Sequence, residues 1–150
     1  MKLYIAYGSN LNLGQMKHRC PGARVLYKGV VKDYSLVYRG SKTGAYATII
    51  PKKDDFVPVV VWEINSRHER SLDIYEGCPN FYYKKDLPVI LDNNEIIMGM
   101  AYIMFDSAKV GLPSDAYLKV CKQGYRDNGL AVEKFNASID NNLRELGLDF

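Results

Sequence analysis

The residues Tyr7-Gly8-Ser9-Asn10 stand between an apolar segment typical of a strand and a polar segment typical of a helix. Because glycine has no Cβ, Gly8 permits a tight turn and the close approach of a ligand to the backbone. The next amides would begin the helix, where unpaired N–H groups and the positive end of the helix dipole favour an anion. The pattern favours a carboxylate or phosphate site, and a plain turn with a capping asparagine fits the same residues.

Glu76 is the second candidate for chemistry. A helix that begins near Ser66 places Glu76 four residues after Leu72, on the same apolar face. It also places Glu76 in the last turn, where the negative end of the dipole disfavours another negative charge. Burial and the dipole should both raise the pKa of this carboxyl group, which would suit general acid–base catalysis near neutral pH. A solvated glutamate before the helix-ending Gly77 is the alternative reading of the local sequence.

The remaining reactive side chains form no recognisable catalytic or metal-binding pattern. His18 and His68 each lie in a charged helical stretch, and we expect both on the surface. We expect Cys20, Cys78 and Cys121 to act as small buried apolar groups, with Cys78 able to line a pocket that serves Glu76. Three cysteines without a CxxC pair indicate reduced thiols, and we therefore expect a cytoplasmic protein.

The composition is that of one ordinary globular domain, which we place over residues 1–150. The net charge of 20 − 17 = +3 is too small for a dedicated nucleic-acid binder. The longest apolar stretches, 57–62 and 96–105, have the length of strands and are too short to cross a bilayer. Tyrosine is unusually frequent, with 12 Tyr against 5 Phe and 1 Trp, and its apolar ring with a polar hydroxyl suits a pocket or an interface as well as a core.

The spacing of apolar residues, glycines and turn residues predicts seven short strands and four helices. The strands are expected at residues 2–7, 24–31, 33–38, 45–50, 57–64, 81–91 and 95–105. The helices are expected after a cap at Asn10 or Asn12, after a capping box at Ser66–Glu69, after Pro113-Ser114, and over the residues from Val132 to Leu146. Strands without regular βαβ alternation indicate an α+β fold, a small mixed sheet that could close into a β-barrel with the helices packed outside.

Five segments, in this order along the chain, resemble the γ-glutamylcyclotransferase superfamily, also called AIG2-like. They are spread over residues 4–130 and are YIAYGSNLNLGQMKHRCPGA from residue 4, GAYATIIP from residue 44, VVVWEIN from residue 59, SLDIYEG from residue 71 and PSDAYLKVCKQGYRDNGL from residue 113. Each segment alone is a weak signal. Their common order makes the resemblance specific.

The resemblance implies an enzyme that converts a γ-glutamyl amide into 5-oxoproline and a free amine, without a cofactor or metal. It implies a single γ-glutamylcyclotransferase-like domain, with Glu76 in SLDIYEG as the catalytic acid and base. The residues that it implies for substrate binding are Ala6, Tyr7, Gly8, Ser9, Asn10, Tyr83 and Tyr117. The partner is then a small molecule, with neither nucleic acid nor membrane, and a homodimer is possible because the family contains dimers.

Two other classes of function fit the same residues. A binding module would keep the tyrosine-lined cavity and the turn without performing chemistry. A hydrolase could use the thiol of Cys78 or Cys121 as its nucleophile. The leaving amine, whether an amino acid, a peptide or another small molecule, does not follow from the sequence.

Overall fold

The computed structural model describes residues 1–41 and 44–148, so residues 42, 43, 149 and 150 of the predicted domain lie outside the description. The strands of the described residues are β1 (Lys2–Ala6), β2 (Arg24–Ser41), β3 (Gly44–Ile64), β4 (Tyr82–Leu91), β5 (Ile96–Met104) and β6 (Lys109–Val110). The helices are α1 (Leu13–Arg19), α2 (Ser66–Glu76), α3 (Asp115–Asp127) and α4 (Val132–Glu145). A short 3₁₀ turn over Ser9–Leu11 precedes α1.

Five of these strands close into a barrel. Neighbouring strands follow the order β3-β1-β5-β4-β2, and β2 also pairs with β3, so the sheet returns to its first strand. The pairing of β1 with β5 is parallel and the other pairings are antiparallel. The two-residue β6 adds to β2 outside this ring. The α+β class and the closed barrel are therefore confirmed.

The number of strands differs from the prediction because β2 and β3 each run through a predicted break. At that point Asp33 and Asp54 adopt left-handed φ angles of 62° and 67°. The backbone N–H of Asp54 donates to Oδ1 of Asp33 at 3.0 Å, and the register shifts between Lys32 and Tyr34. Aspartate tolerates the left-handed region better than most residues, so a bulge absorbs the irregular residues without ending either strand.

The core has two parts, one on each face of the barrel wall. Alternate residues of β1 and β3 separate them, since Ile5 and Val61 lie in one cluster and Tyr4 and Trp62 in the other. The cluster of Tyr4 and Trp62, which we call the outer core cluster, also contains buried side chains of α2, α3 and α4, so it fills the space between barrel and helices. The first cluster fills the barrel itself. Among the residues described, none of the helices combines the length and apolar character needed to span a bilayer.

Two of the predicted helix caps are confirmed. The side chain of Asn12 accepts the backbone N–H of Gln15 at the start of α1. The side chain of Ser114 accepts the backbone N–H of Tyr117 at the start of α3. Each cap satisfies an amide that has no partner within its helix, which defines where the helix begins.

The predicted cap of α2 and the surface position of His68 are both wrong. Asn65, one residue before Ser66, caps the helix by accepting the N–H of His68 at 2.8 Å. Nδ1 of His68 accepts the N–H of Asn65 in return, and Nε2 lies 2.6 Å from the carbonyl of Pro21. Glu69 instead pairs with two lysines, so the buried imidazole takes the role expected of a glutamate. His18 is exposed, as predicted.

The close packing of α3 on the 3₁₀ turn gives a test of the fold. A Cβ at Gly124 would lie 2.6 Å from the backbone N of Asn12 and 2.7 Å from the backbone C of Leu11. We expect Gly124→Ala to lower the free energy of unfolding by about 1–3 kcal/mol, because the helix must move away from the turn. Urea unfolding measures this change. Lys119→Ala, at an exposed position of the same helix, is the control and should change stability by less than about 0.5 kcal/mol.

Candidate active site

The turn after β1 has a different construction from the predicted one. Gly8 leads into the single 3₁₀ turn, and α1 begins only at Leu13, after Asn12. The positive end of a long helix is therefore not directed at Gly8. The N–H groups of Ser9 and Asn10 open the turn, and the first amides of a helical turn have no partner inside it. The N–H groups of the turn are therefore the backbone donors at this point, and the dipole of a long helix does not add to them.

Asn10 holds this turn in place from three directions. Its side chain is 3% exposed; Nδ2 donates to the hydroxyl of Tyr4 at 2.8 Å, and Oδ1 accepts from the guanidinium of Arg19. The backbone carbonyl of Asn10 accepts the indole N–H of Trp62 at 3.1 Å. These bonds join the turn to β1, α1 and β3. The side chain of Asn10 therefore positions the turn and has little hydrogen-bonding capacity left for a ligand.

Glu76 is the last residue of α2, and its carboxyl group reaches the same turn. Gly77 follows with a left-handed φ of 62°, which ends the helix at that point. Burial raises the pKa of Glu76 to about 7, and the nearby cation of Arg19 lowers it by less. The predicted upward shift of this pKa is confirmed, with desolvation as its main cause.

A small cavity of about 30 Å³ lies between Glu76 and the turn. Its lining residues are Tyr4, Tyr7, Gly8, Ser9, Asn10, Ala47, Glu76 and Tyr102. Burial raises the pKa of all three lining phenols, so they remain protonated at neutral pH. Among the described lining residues, Glu76 is the group that changes its charge near neutral pH.

Tyr102 belongs to this cavity, and sequence reasoning gave it no role. Its backbone carbonyl accepts the hydroxyl of Tyr7 at 2.5 Å, and its own hydroxyl donates to Oδ1 of Asp73 at 2.6 Å. Asp73 is held in turn by Lys84 at 3.0 Å. Tyr102 reaches the turn because β5 lies beside β1. This pairing joins residues that are far apart in the chain, so no local sequence pattern indicates it.

Two predicted binding residues lie behind the cavity wall. Ala6 is buried in the outer core cluster and is absent from the lining residues. The hydroxyl of Tyr117 accepts the backbone N–H of Ala47 at 3.0 Å, and a Cβ at Gly8 would lie 3.4 Å from that hydroxyl. Tyr117 therefore supports the wall formed by Ala47 and Gly8, and does not line the cavity directly.

The structure does not bring Tyr83 into the cavity. Tyr83 packs against Phe105, with ring centroids 4.9 Å apart, and belongs to the barrel-interior side of β4. The preceding residue, Tyr82, points to the opposite face, and its hydroxyl donates to the carbonyl of Ala47 at 2.7 Å. Side chains alternate along a strand, so an error of one position moves a side chain to the other face.

Arg19 is a further residue that sequence reasoning left without a role. Its guanidinium lies 3.5 Å from the ring centroid of Tyr75, and it also donates to Oε1 of Gln15 at 2.6 Å. The hydroxyl of Tyr75 lies 3.3 Å from Oγ of Ser9. Together with the bond to Asn10, these contacts tie the end of α2 to the turn and keep a cation near Glu76.

The cysteines are poorly suited to nucleophilic catalysis. Cys20 and Cys121 are buried and Cys78 is partly buried, and all three are free thiols. Burial raises the pKa of each thiol, to about 12 for Cys121, while the carboxylate of Asp73 adds to the effect at Cys78. The thiolate is the reactive form of cysteine, so these groups are weak nucleophiles at neutral pH.

Comparison with known proteins places this arrangement in a defined group. The family "Gamma-glutamyl cyclotransferase, AIG2-like" matches residues 4–119. Human gamma-glutamylcyclotransferase is 33% identical over 141 residues, which cover 87% of this chain and 73% of the human protein. The bovine gamma-glutamylcyclotransferase is 33% identical over 139 residues, with the same coverage. A solved structure of a gamma-glutamyl cyclotransferase superposes with a TM-score of 0.81 at 29% identity, covering 91% of this chain and 85% of that one.

The pKa of Glu76 makes the stability of the fold depend on pH. Between its ordinary value of 4.5 and about 7, the folded protein retains a proton that the unfolded chain has lost. The stability that Glu76 contributes is therefore complete below pH 4.5 and is lost as the pH rises to about 7. Glu76→Gln cannot ionise at this position. As the pH rises from 5 to 8, we therefore expect its free energy of unfolding to increase relative to that of the wild type by up to about 3 kcal/mol.

Urea unfolding of both proteins at pH 5 and pH 8 measures this difference. Glu133→Gln, which alters an exposed glutamate in the first turn of α4, is the matched control. The effect of Glu133→Gln on the free energy of unfolding should change by less than about 1 kcal/mol between pH 5 and pH 8. An equally small change for Glu76→Gln would contradict the raised pKa.

Proposed function

This chain belongs to the gamma-glutamyl cyclotransferase, AIG2-like family, and we propose that it converts γ-glutamyl amides into 5-oxoproline and a free amine. The observation that carries the proposal is a carboxyl group with a pKa of about 7, facing a backbone turn across a small cavity. Such a group can accept and return a proton near neutral pH. The relatives named gamma-glutamylcyclotransferase support the same reaction.

The substrate supplies its own nucleophile in this reaction. The α-amine nitrogen attacks the γ-carbonyl carbon, so a C–N bond forms and closes the five-membered lactam ring. The amide C–N bond to the leaving amine then breaks. Glu76, in its ionised form, takes a proton from the attacking nitrogen and delivers one to the leaving nitrogen, so that no net proton is consumed.

The turn and the phenols would position the γ-glutamyl group. The cavity of about 30 Å³ suits a group of about two or three non-hydrogen atoms, such as a carboxylate or the carbonyl end of an amide. The N–H groups of Ser9 and Asn10 are donors for an oxygen at this place. The same donors would stabilise the negative charge that develops on the carbonyl oxygen during attack.

Much of the rate would come from holding the glutamyl chain in its folded conformation, with the amine close to the carbonyl carbon. Proton transfer by Glu76 would add about 10²–10⁴-fold. The phenols of Tyr4 and Tyr7 remain protonated, so we assign them hydrogen bonding and packing, not proton abstraction. Tyr117 and Tyr82 act through Ala47, since Tyr117 accepts its backbone N–H and Tyr82 donates to its backbone carbonyl.

We further propose that the protein works in a reducing compartment, the cytoplasm. Its three cysteines are free thiols, two of them buried in the outer core cluster. Disulfide bonds are common in oxidising compartments and rare in the cytoplasm. Three free thiols are therefore typical of a protein from a reducing compartment.

Removal of the proton acceptor tests the reaction directly. We expect Glu76→Gln to reduce kcat for release of 5-oxoproline by at least about 10²-fold, because the amide cannot take up a proton. Mass spectrometry of 5-oxoproline from a panel of γ-glutamyl amino acids, peptides and amines measures it. Glu133→Gln should retain wild-type kcat, and circular dichroism should show both variants folded. Equal turnover by Glu76→Gln and the wild type would contradict the role of Glu76.

The neighbouring tyrosines of β4 provide a matched pair. Tyr82→Phe removes the hydrogen bond to the carbonyl of Ala47, so we expect kcat/KM to fall by about 3- to 10-fold as the cavity wall loosens. Tyr83→Phe removes a hydroxyl outside the cavity and should leave kcat/KM within about twofold of wild type. Steady-state kinetics on one γ-glutamyl substrate compares the two. A larger fall in kcat/KM for Tyr83→Phe than for Tyr82→Phe would instead indicate that Tyr83 contacts the substrate.

A further inference from the structure

A second, wider cleft adjoins the small cavity, and Glu76 lines both. The cleft has a volume of about 410 Å³, within the usual range for small-molecule sites. Its lining residues are Tyr46, Ile74, Tyr75, Glu76, Gly77, Phe81 and Tyr82. Among them, the mechanism proposed above uses the carboxyl group of Glu76 and the hydroxyl of Tyr82, which donates to the carbonyl of Ala47. Tyr46, Ile74 and Phe81 have no role in that mechanism, and their position beside Glu76 limits what the cleft can bind.

Four large apolar or aromatic side chains of the cleft are unusually exposed. Ile74 is 83% exposed although it lies in α2, beside residues that pack against the barrel. Tyr46, Tyr75 and Phe81 are each between 39% and 45% exposed. Single apolar residues on a surface are ordinary, whereas a contiguous group at the mouth of a cavity marks a binding site.

The aromatic side chains of the cleft wall pack against one another. The rings of Tyr46 and Phe81 meet edge to face at 6.2 Å, and those of Phe81 and Tyr82 at 5.2 Å. Tyr46 also meets Tyr117 edge to face at 5.2 Å. These contacts restrain the side chains, so an apolar group could bind there without first ordering them.

The charge of the cleft also restricts the occupant. Among the described residues that line it, Glu76 is the one acidic side chain, and neither lysine nor arginine contributes. An occupant with a second carboxylate on its side chain would find no cation in the lining and would lie near Glu76. An apolar side chain finds aromatic and aliphatic partners on several sides.

From these observations we propose that the wide cleft binds the leaving amine, and that the preferred substrates are γ-glutamyl amides of amines with a large apolar or aromatic side chain. This inference rests on the proposed function, because it assumes that the scissile nitrogen lies at Glu76. When the γ-carbonyl end of the glutamyl group lies in the small cavity, the substituent on that nitrogen extends past the carboxyl group of Glu76 into the cleft, which the same residue also lines. Ile74, Phe81 and Tyr46 then determine specificity and take no part in the chemistry.

The test compares three substrates, γ-glutamylphenylalanine, γ-glutamylglycine and γ-glutamylglutamate, by the rate of 5-oxoproline release from the complete chain. Burial of a phenyl side chain is worth about 10- to 100-fold in binding. We therefore expect kcat/KM to be at least about tenfold higher for the phenylalanine substrate than for the glycine substrate, and lowest for the glutamate substrate.

Two variants with matched chemistry locate the preference. We expect Ile74→Asn to lower the phenylalanine-to-glycine ratio of kcat/KM by at least about fivefold, because it places a polar amide in the apolar wall. The substitution adds no charge, so the electrostatic environment of Glu76 is preserved. Ile96→Asn is the control, since Ile96 is also an exposed isoleucine, 66% exposed at the start of β5 and outside the cleft lining. This control should leave the ratio within about twofold of wild type.

The outcomes separate this inference from the proposed function. Product from all three substrates without a preference for phenylalanine, or with the same ratio in Ile74→Asn and wild type, would overturn the inference and leave the reaction standing. Product from none of them or from any other γ-glutamyl amide tested would overturn the proposed function and the inference with it. A dimer that Ile74→Asn dissociates, with an unchanged substrate ratio, would assign these side chains to a subunit interface instead.

Discussion

The pairing of β2 with β3 is the constraint on which the rest of the structure depends. It runs from Arg24 opposite Glu63 to Ser41 opposite Gly44, and it turns an open sheet into a barrel. Once the barrel is closed, β1 lies between β3 and β5, so the turn after β1 emerges beside Ala47 of β3 and beside Tyr102 of β5. The long hairpin also carries Tyr46 to the mouth of the wider cleft. The site is therefore a consequence of strand order, with α2 delivering the carboxyl group from outside.

Electrostatics determine the protonation of Glu76. Two opposing effects act on Glu76, since loss of water favours the neutral acid and the Arg19 cation favours the carboxylate. Desolvation is the larger effect, so the pKa of Glu76 lies near neutral pH, where its neutral and its ionised form are both populated. Asn10, Gln15 and the ring of Tyr75 hold Arg19 in place. The effect of the Arg19 cation on the pKa of Glu76 therefore depends on contacts between α1, α2 and the turn. Burial thus destabilises the charged form of Glu76, and it also brings the pKa to a value at which the group can exchange protons near neutral pH.

Local features were predictable from the sequence, and features that depend on distant contacts were not. The caps at Asn12 and Ser114 and the β4–β5 hairpin follow from neighbouring residues. The apolar face of α2 indicated the direction of the pKa shift of Glu76, but the burial that causes the shift depends on contacts with the turn after β1. Tyr102 was missed because only the parallel pairing of β1 with β5 brings it to the turn. Tyr82 and Tyr83 differ by one position, and strand register alone decides which of them faces Ala47. His68 was placed on the surface because its partner, the carbonyl of Pro21, is 47 residues away in the chain.

The carboxyl group of Glu76, with a pKa of about 7, faces the cavity in which we propose that the product forms. Carboxyl ¹³C NMR of the protein labelled at its glutamate side chains, titrated with and without 5-oxoproline, tests that claim most directly. We predict one resonance that titrates near pH 7, is absent from Glu76→Gln and moves when 5-oxoproline binds. Titration of every glutamate at about pH 4–5, or binding of 5-oxoproline that leaves the Glu76 resonance unmoved, would contradict it.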